Sequence, residues 1–559
     1  MEMIMRVTNL LLMPLLLAGC IDQLHEEAHA LTYIDAQTTS SSGEPVPPTT
    51  TQAATGGVQT VTGETTLEQT TAAIDDTGTT ATTGEAIDLP PTIDLFTATP
   101  GQLSEAGKSH LELQTSADVV QVRLFQNDAQ IADLKPSAFP YTYEAFSAKS
   151  NGDPHTFRVE VTDAGGQTAM KELKLKVLLP ASGSERCLFQ DMGAKGSAIL
   201  GLVHGTDAIV AVGWRDTGAG PRIVIWKLDK KSCTVLPGWP RTIASWNPLL
   251  AGQTSRAVGV ALDESGYIAV AANLWPGGKP QLYAALFTPE GVPIWERTGD
   301  VGEEAAGIAT GADHRVFVVG VRRTSDNPIR TDARIWGFQF VEGIVTEWVT
   351  DLKAPFTADE ADPDLKNLRS ERARAVLVQD DEVFVVGERE FTDGNLFLYT
   401  RTFVARYYFF GQVVGSPWTS PGDYLPHEGM NAIGRCGADL IAGGWSRDKP
   451  PGSTPVPLMR WIKPDGTSTE GHSELLPTTQ TFGIGCDREG KIVSGGTGGG
   501  GELNTQVFAS WDLKKPPLIY DAGVAGDDAT LAFACDPQTS FCAGGGYRAP
   551  LAFVRVYHP

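Results

Sequence analysis

Between residues 185 and 559 one signal recurs seven times: an apolar run that ends in a small residue, usually glycine. It reads Ile209-Val-Ala-Val-Gly213, Ile268-Ala-Val-Ala-Ala272, Val316-Phe-Val-Val-Gly320, Val383-Phe-Val-Val-Gly387, Leu440-Ile-Ala-Gly443, Ile492-Val-Ser-Gly495 and Phe541-Cys-Ala-Gly544. A shorter apolar strand and a tight turn precede each run, as in Phe482-Gly-Ile-Gly-Cys-Asp-Arg-Glu-Gly490. A third and a fourth strand follow the first six, with Trp239, Trp295, Trp348, Trp418 and Tyr520 marking fourth strands. Such units bury their apolar faces only by stacking on one another. The pattern therefore predicts an all-β chain with a seven-bladed β-propeller over residues 185–559. The small residue is read as allowing close approach near the crowded axis.

The seventh unit stops one strand short, after Leu551-Ala-Phe-Val-Arg-Val-Tyr557, while Glu185-Arg-Cys-Leu-Phe-Gln-Asp191 has no partner. That segment is expected to supply the missing strand and close the ring, which removes an open sheet edge. The repeats resemble those of bacterial surface propellers, a resemblance that speaks to fold and hardly to function.

Residues 89–180 have a different pattern. Apolar and polar residues alternate at Leu111/Leu113, Val120/Val122/Leu124, Tyr141/Tyr143 and Phe157/Val159/Val161, with turn signals at Asn127-Asp128, Ser150-Asn-Gly-Asp153 and Asp163-Ala-Gly-Gly166. Period-two alternation marks half-buried antiparallel strands, and this many short strands make a β-sandwich. His155-Thr-Phe-Arg-Val-Glu-Val-Thr-Asp-Ala-Gly165 resembles the last hairpin of bacterial Ig-like domains, which implies a spacer.

The chain begins with one cation, Arg6, then an apolar run from Leu10 to Leu17, too short to span a bilayer. Leu17-Ala-Gly-Cys20 resembles the lipobox of bacterial lipoproteins. The resemblance implies a signal peptide over 1–19, lipid on Cys20, and a membrane anchor in the bacterial cell envelope, at the outer membrane. Residues 20–88 are dominated by Thr, Ser, Gly, Gln and Glu, with apolar residues too sparse to offset the entropy of ordering. They read as a tether reaching on the order of 45 Å. The net charge of −23 argues against a nucleic-acid partner.

Seven cysteines less Cys20 leave six, which suggests disulfides in an exported chain. Cys535 and Cys542 flank one hairpin, and Cys436 and Cys486 hold matching positions on successive inner strands. Cys187 and Cys233 pair by elimination, a pairing that placement on outer fourth strands would make difficult. No His/Cys cluster has zinc-ligand spacing. The acidic stretch Asp359-Glu-Ala-Asp-Pro-Asp364 lacks the calcium-loop pattern and reads as a solvated insertion. Gly495-Gly-Thr-Gly-Gly-Gly-Gly501 lacks the helix and lysine of a phosphate loop. No cofactor is expected.

In an up-and-down blade the loops joining strands two and three share one face with the blade-to-blade connections. Here those loops are long, at 214–220, 273–279, 321–331, 388–395, 445–454 and 496–504, and long loops on a rigid scaffold are where function usually sits. Just past the small residue come Arg215, Arg322, Arg389, Arg447 and Arg548, accompanied by Trp214, Trp275, Trp445 and Tyr547. Such a cationic, aromatic rim suits a carboxylate, sulfate or acidic glycan. The competing reading pairs each arginine with a neighbouring acid such as Asp216, Glu390 or Asp448. The expected function is a monomeric, membrane-anchored, surface or periplasmic, non-catalytic binding protein for a glycan, peptide or envelope partner. The alternatives are a propeller hydrolase or lyase working in the central funnel, and a structural envelope protein.

Overall fold

The computed structural model describes residues 89–558 except 147–149, 153, 327–328, 353–367, 393–397, 416–417, 420–426, 448–454, 464–465, 467, 473–477, 489, 499–505, 512–517, 522–527, 537 and 549. These residues belong to one compact unit, Ala86–Pro559. The signal segment, Cys20, the tether, Asp359–Asp364 and Asp448 lie outside the described residues.

Eight strands from Ile93–Thr99 to Thr168–Val177 form a three-stranded and a five-stranded sheet. Their shared core includes Phe96, Leu111, Val122, Leu124, Phe157, Val159 and Val161. Val120 departs from the alternating pattern and is 55% exposed, whereas Val119 is buried. The ladder explains it. Val119 faces Asp163 while Gln121 faces Thr162, so Val120 is the extra residue of a β-bulge, and the phase of the strand shifts there. Asn127 and Asp128 both take left-handed backbone angles, the geometry of a tight two-residue hairpin.

The remaining strands form seven four-stranded antiparallel sheets in chain order. Each innermost strand contacts the innermost strands before and after it, and the seventh contacts the first, so the sheets form a closed ring. The seventh sheet consists of Asp528–Cys535, Cys542–Arg548, Leu551–Tyr557 and, as its outer strand, Glu185–Gln190. Val554 pairs with Phe189 and Val556 with Cys187, so the segment before the first repeat closes the ring as the strand count predicts. Trp295, Trp348, Trp418 and Tyr520 lie in fourth strands, but Trp239 sits just ahead of its own, Arg241–Thr242.

The small residues of the second strand have a second physical cause besides the expected close approach. Every innermost strand carries a register shift, and the small residue lies opposite it: Ile199 faces Gly213, Ala305 faces Gly320, Ala373 faces Gly387 and Met430 faces Gly444. A Cβ on Gly213 would lie 1.9 Å from the Ala198 carbonyl oxygen, and one on Gly320 would lie 1.9 Å from that of Glu304. At these positions the bulge in the same sheet excludes a side chain, whereas at Gly443 and Gly495 an added Cβ would meet Thr481 Cγ2 at 2.7 Å and Thr530 Cγ2 at 2.6 Å on the innermost strand of the next sheet, the close approach expected. This register also corrects the repeat alignment. The equivalents in sheets five, six and seven are Gly444, Gly496 and Gly546, not Gly443, Gly495 and Gly544. Approach between sheets is governed by a second small position on the inner strand: a Cβ on Gly201 would lie 2.8 Å from the Gly259 Cα.

All three expected disulfides form, with Cα separations of 5.6 Å for Cys187–Cys233, 5.0 Å for Cys436–Cys486 and 4.0 Å for Cys535–Cys542. The expected difficulty with Cys187–Cys233 does not arise, because Cys233 lies in the turn after the third strand Pro221–Asp229, not on a fourth strand. The bridges all sit at the short-hairpin end of the ring. The sandwich docks at that end too. Arg186 donates to Glu105 at 2.6 Å and stacks 4.0 Å over Phe541, while Arg488 stacks 4.4 Å over Phe146. The Asn151 amide exchanges two hydrogen bonds with the Leu179 backbone, pinning the connection between the domains.

Candidate functional site

The opposite end of the ring carries the connections between second and third strands. With the bulge as reference, four of the five expected arginines are equivalent: Arg215, Arg322, Arg389 and Arg548 each stand two residues past the small position. Arg447 stands one residue further. Trp214, Trp445 and Tyr547 share the position directly after it, and Trp275 lies two steps beyond them. A common height is therefore real for most of the set.

Their environments differ. Arg215 is tied by two hydrogen bonds to the buried Asp191 carboxylate, which follows the closing strand. Asp216, the neighbour the competing reading offered, instead caps its own loop by accepting from the Gly218 and Gly220 amides. Arg389 is buried, with Nε 3.0 Å from the buried Glu371. Arg548 faces Asp528 on the ladder and is engaged. Arg447 is half-buried 5.4 Å over the Trp445 ring, its buried Nε has no hydrogen-bond partner among the described residues, and burial pulls its pKa down. Arg322 is exposed. The five guanidiniums thus do not form one open rim, because ion pairs formed within the fold neutralise part of the set.

The aromatics are corrected as well. Trp214 is buried, and Arg256 lies 5.4 Å over it and 5.7 Å over Trp275. The protein's own cation, from the innermost strand of the second sheet, occupies ring faces expected to be open. Arg256 and Asp191 carry no sequence signal, since each belongs to a segment remote from the ring or guanidinium it meets.

Two of the expected long loops are strands. The second strand ends two or three residues past the small position in sheets one, two, five, six and seven, at Asp216, Leu274, Arg447, Gly498 and Arg548. In sheets three and four it runs on to Asp326 and Thr392, and the third strands Ile329–Val341 and Leu398–Tyr408 are equally long. At 3.3 Å per residue, these sheets rise roughly 10 Å above the others.

The buried carboxylates at this end are paired. Glu303 accepts from Arg334, Glu388 accepts from Arg374 at 2.6 Å, and Glu428 accepts from Arg460 at 2.6 Å. Among the described residues no group of three or more His, Cys, Asp or Glu side chains comes together to hold a metal ion, and no helix is long and apolar enough to cross a membrane.

No protein-family model matches the chain, and no curated protein matches it. Its likeness is to solved β-propeller domains. The Pan2 WD40 domain of Neurospora crassa has 9% identity and a TM-score of 0.42, the match covering 68% of this chain and 96% of that one. The WD40 repeats of RRP9 have 11% identity and a TM-score of 0.38, covering 67% and 99%. The polysaccharide lyase Uly1 has 10% identity and a TM-score of 0.40, covering 66% and 91%.

Proposed function

We propose that the protein is a lipid-anchored, non-catalytic binding protein of the bacterial cell envelope, in which a seven-bladed propeller on an Ig-like sandwich recognises a glycan, peptide or envelope partner through its long-loop face. One observation carries the reading: the sandwich, through which the anchored N-terminus joins the propeller, packs on the short-hairpin end. The first sandwich strand, Ile93–Thr99, runs toward the docking residue Glu105, so the N-terminal segment enters at the far end of the sandwich. The sandwich thus occupies the short-hairpin end and leaves the long-loop face to a partner.

Binding is favoured over hydrolysis because the buried carboxylates Glu303, Glu388 and Glu428 are each engaged by a guanidinium of the fold rather than presented to a substrate. The test has two arms. Cys20→Ser should release the full chain from membranes, and retention with lipid label would defeat the anchoring. Arg322→Glu with Arg447→Glu should weaken capture of envelope components, whereas Arg186→Ala on the opposite end should not. Equal loss in both would remove the long-loop face from the proposal.

A further inference from the structure

The raised hairpin of the third sheet carries two cations that pair with no acid among the described residues. Its ladder places Arg322 opposite Asp332, and Arg330 stands two residues before Asp332 on the same face of the third strand. Arg322 and Arg330 are both exposed. Neither makes an ion pair among the described residues, whereas Arg323 and Asp332 are engaged. Glu303, which also faces Arg322 across the sheet, is taken by Arg334. Two guanidiniums at diagonal positions of a ladder stand about 7 Å apart at their Cβ atoms. They project from an extended strand ladder on a chain whose net charge is −23, so a local attraction for anions stands out against general repulsion.

We propose that this hairpin is the subsite for an acidic polysaccharide, with the Arg322 and Arg330 guanidiniums each holding a carboxylate or sulfate of the polymer. The inference rests on the long-loop face being the binding face and names the chemical class bound there. Guanidinium forks match the planar geometry of carboxylates and the oxygens of sulfates. The exposed described residues of the hairpin, Arg322, Thr324 and Arg330, include no apolar side chain. A protein partner draws most of its affinity from buried aromatic and apolar anchors, and the exposed described residues of the hairpin supply none.

The experiment measures binding of the purified full chain to dextran sulfate and to polygalacturonate, with neutral dextran as blank and polyglutamate as the acidic-peptide arm, over a range of NaCl. Wild type should bind at least one of the two polysaccharides, more weakly as salt rises. Arg322→Gln with Arg330→Gln should weaken that binding roughly tenfold with an unchanged Tm. Arg322→Lys with Arg330→Lys should restore part of it. The proposal is overturned if wild type binds neither polysaccharide, if the double glutamine variant binds as well as wild type, or if polyglutamate is the preferred probe. Capture of a neutral glycan that Arg447→Glu abolishes and the double glutamine variant leaves intact would overturn this subsite while the long-loop face stood.

Discussion

Arg488, in the first hairpin of the sixth sheet, donates a hydrogen bond to the Glu144 carboxylate of the sandwich at 2.5 Å. This pair and the Arg186–Glu105 pair are the two ion pairs between the domains among the described residues. Exposed pairs contribute about 0.2–1 kcal/mol each, but Arg186 is largely buried and also stacks on Phe541. Arg186→Ala with Arg488→Ala should split one calorimetric unfolding transition into two. A single transition with an unmoved midpoint would place the coupling in the apolar contact of Ala106 with the core of the ring instead. The Lys108 hydrogen bond, and then Arg488, hold the Glu144 pKa below its usual value. Its contribution is present above the ordinary carboxylate range and is lost as pH falls through the lowered folded value.

The join between the first and seventh sheets contains His204, whose two ring nitrogens are buried although the residue as a whole is half-buried. Burial lowers its pKa to about 4, with Asp536 opposing and Lys230 adding to the shift. Because the folded value lies below the ordinary 6.5, the unfolded chain takes up this proton first. Stability should therefore be intact above pH 6.5 and fall as pH drops from there toward 4, by on the order of 2–3 kcal/mol. Tm against pH should flatten in that window in His204→Gln. A parallel decline in wild type and variant would assign the acid sensitivity elsewhere.

The disulfides should contribute unequally. Cys187–Cys233 and Cys436–Cys486 close sequence separations of 46 and 50, against 7 for Cys535–Cys542. Constraint of the unfolded chain grows with loop length, so replacing either long-range pair by serines should cost about 2–4 kcal/mol, and the hairpin pair less. Denaturant midpoints of the three double-serine variants give the order. Equal midpoints would contradict it.

The bulge contacts make glycine tolerance predictable. At Gly387 an added Cβ would lie 2.0 Å from the Arg372 carbonyl oxygen, while at Gly485 it would meet nothing within 4 Å. Gly387→Ala should destabilise by about 1–3 kcal/mol or more through forced backbone shift. Gly485→Ala should be close to neutral. Urea unfolding of the two variants is the check, and equal midpoints would remove the steric account.

The repeat, the alternation of the sandwich strands and the Cys535–Cys542 pair were legible in the amino-acid sequence because each is a local relation. Side-chain period, turn chemistry and short separations are written along the chain itself. The unpaired Glu185–Asp191 segment was legible as well, since a missing strand leaves a countable gap. What only the tertiary structure decided is which groups meet. Gly443 and Gly444 satisfy the repeat equally, and the hydrogen-bond ladder alone selects Gly444 to face the bulge. Arg215 found Asp191, and Arg256 found Trp214 and Trp275, across segments remote in sequence. Which arginines remain available to a ligand therefore depends on partners brought in by ring closure and sheet packing, and no local pattern encodes them.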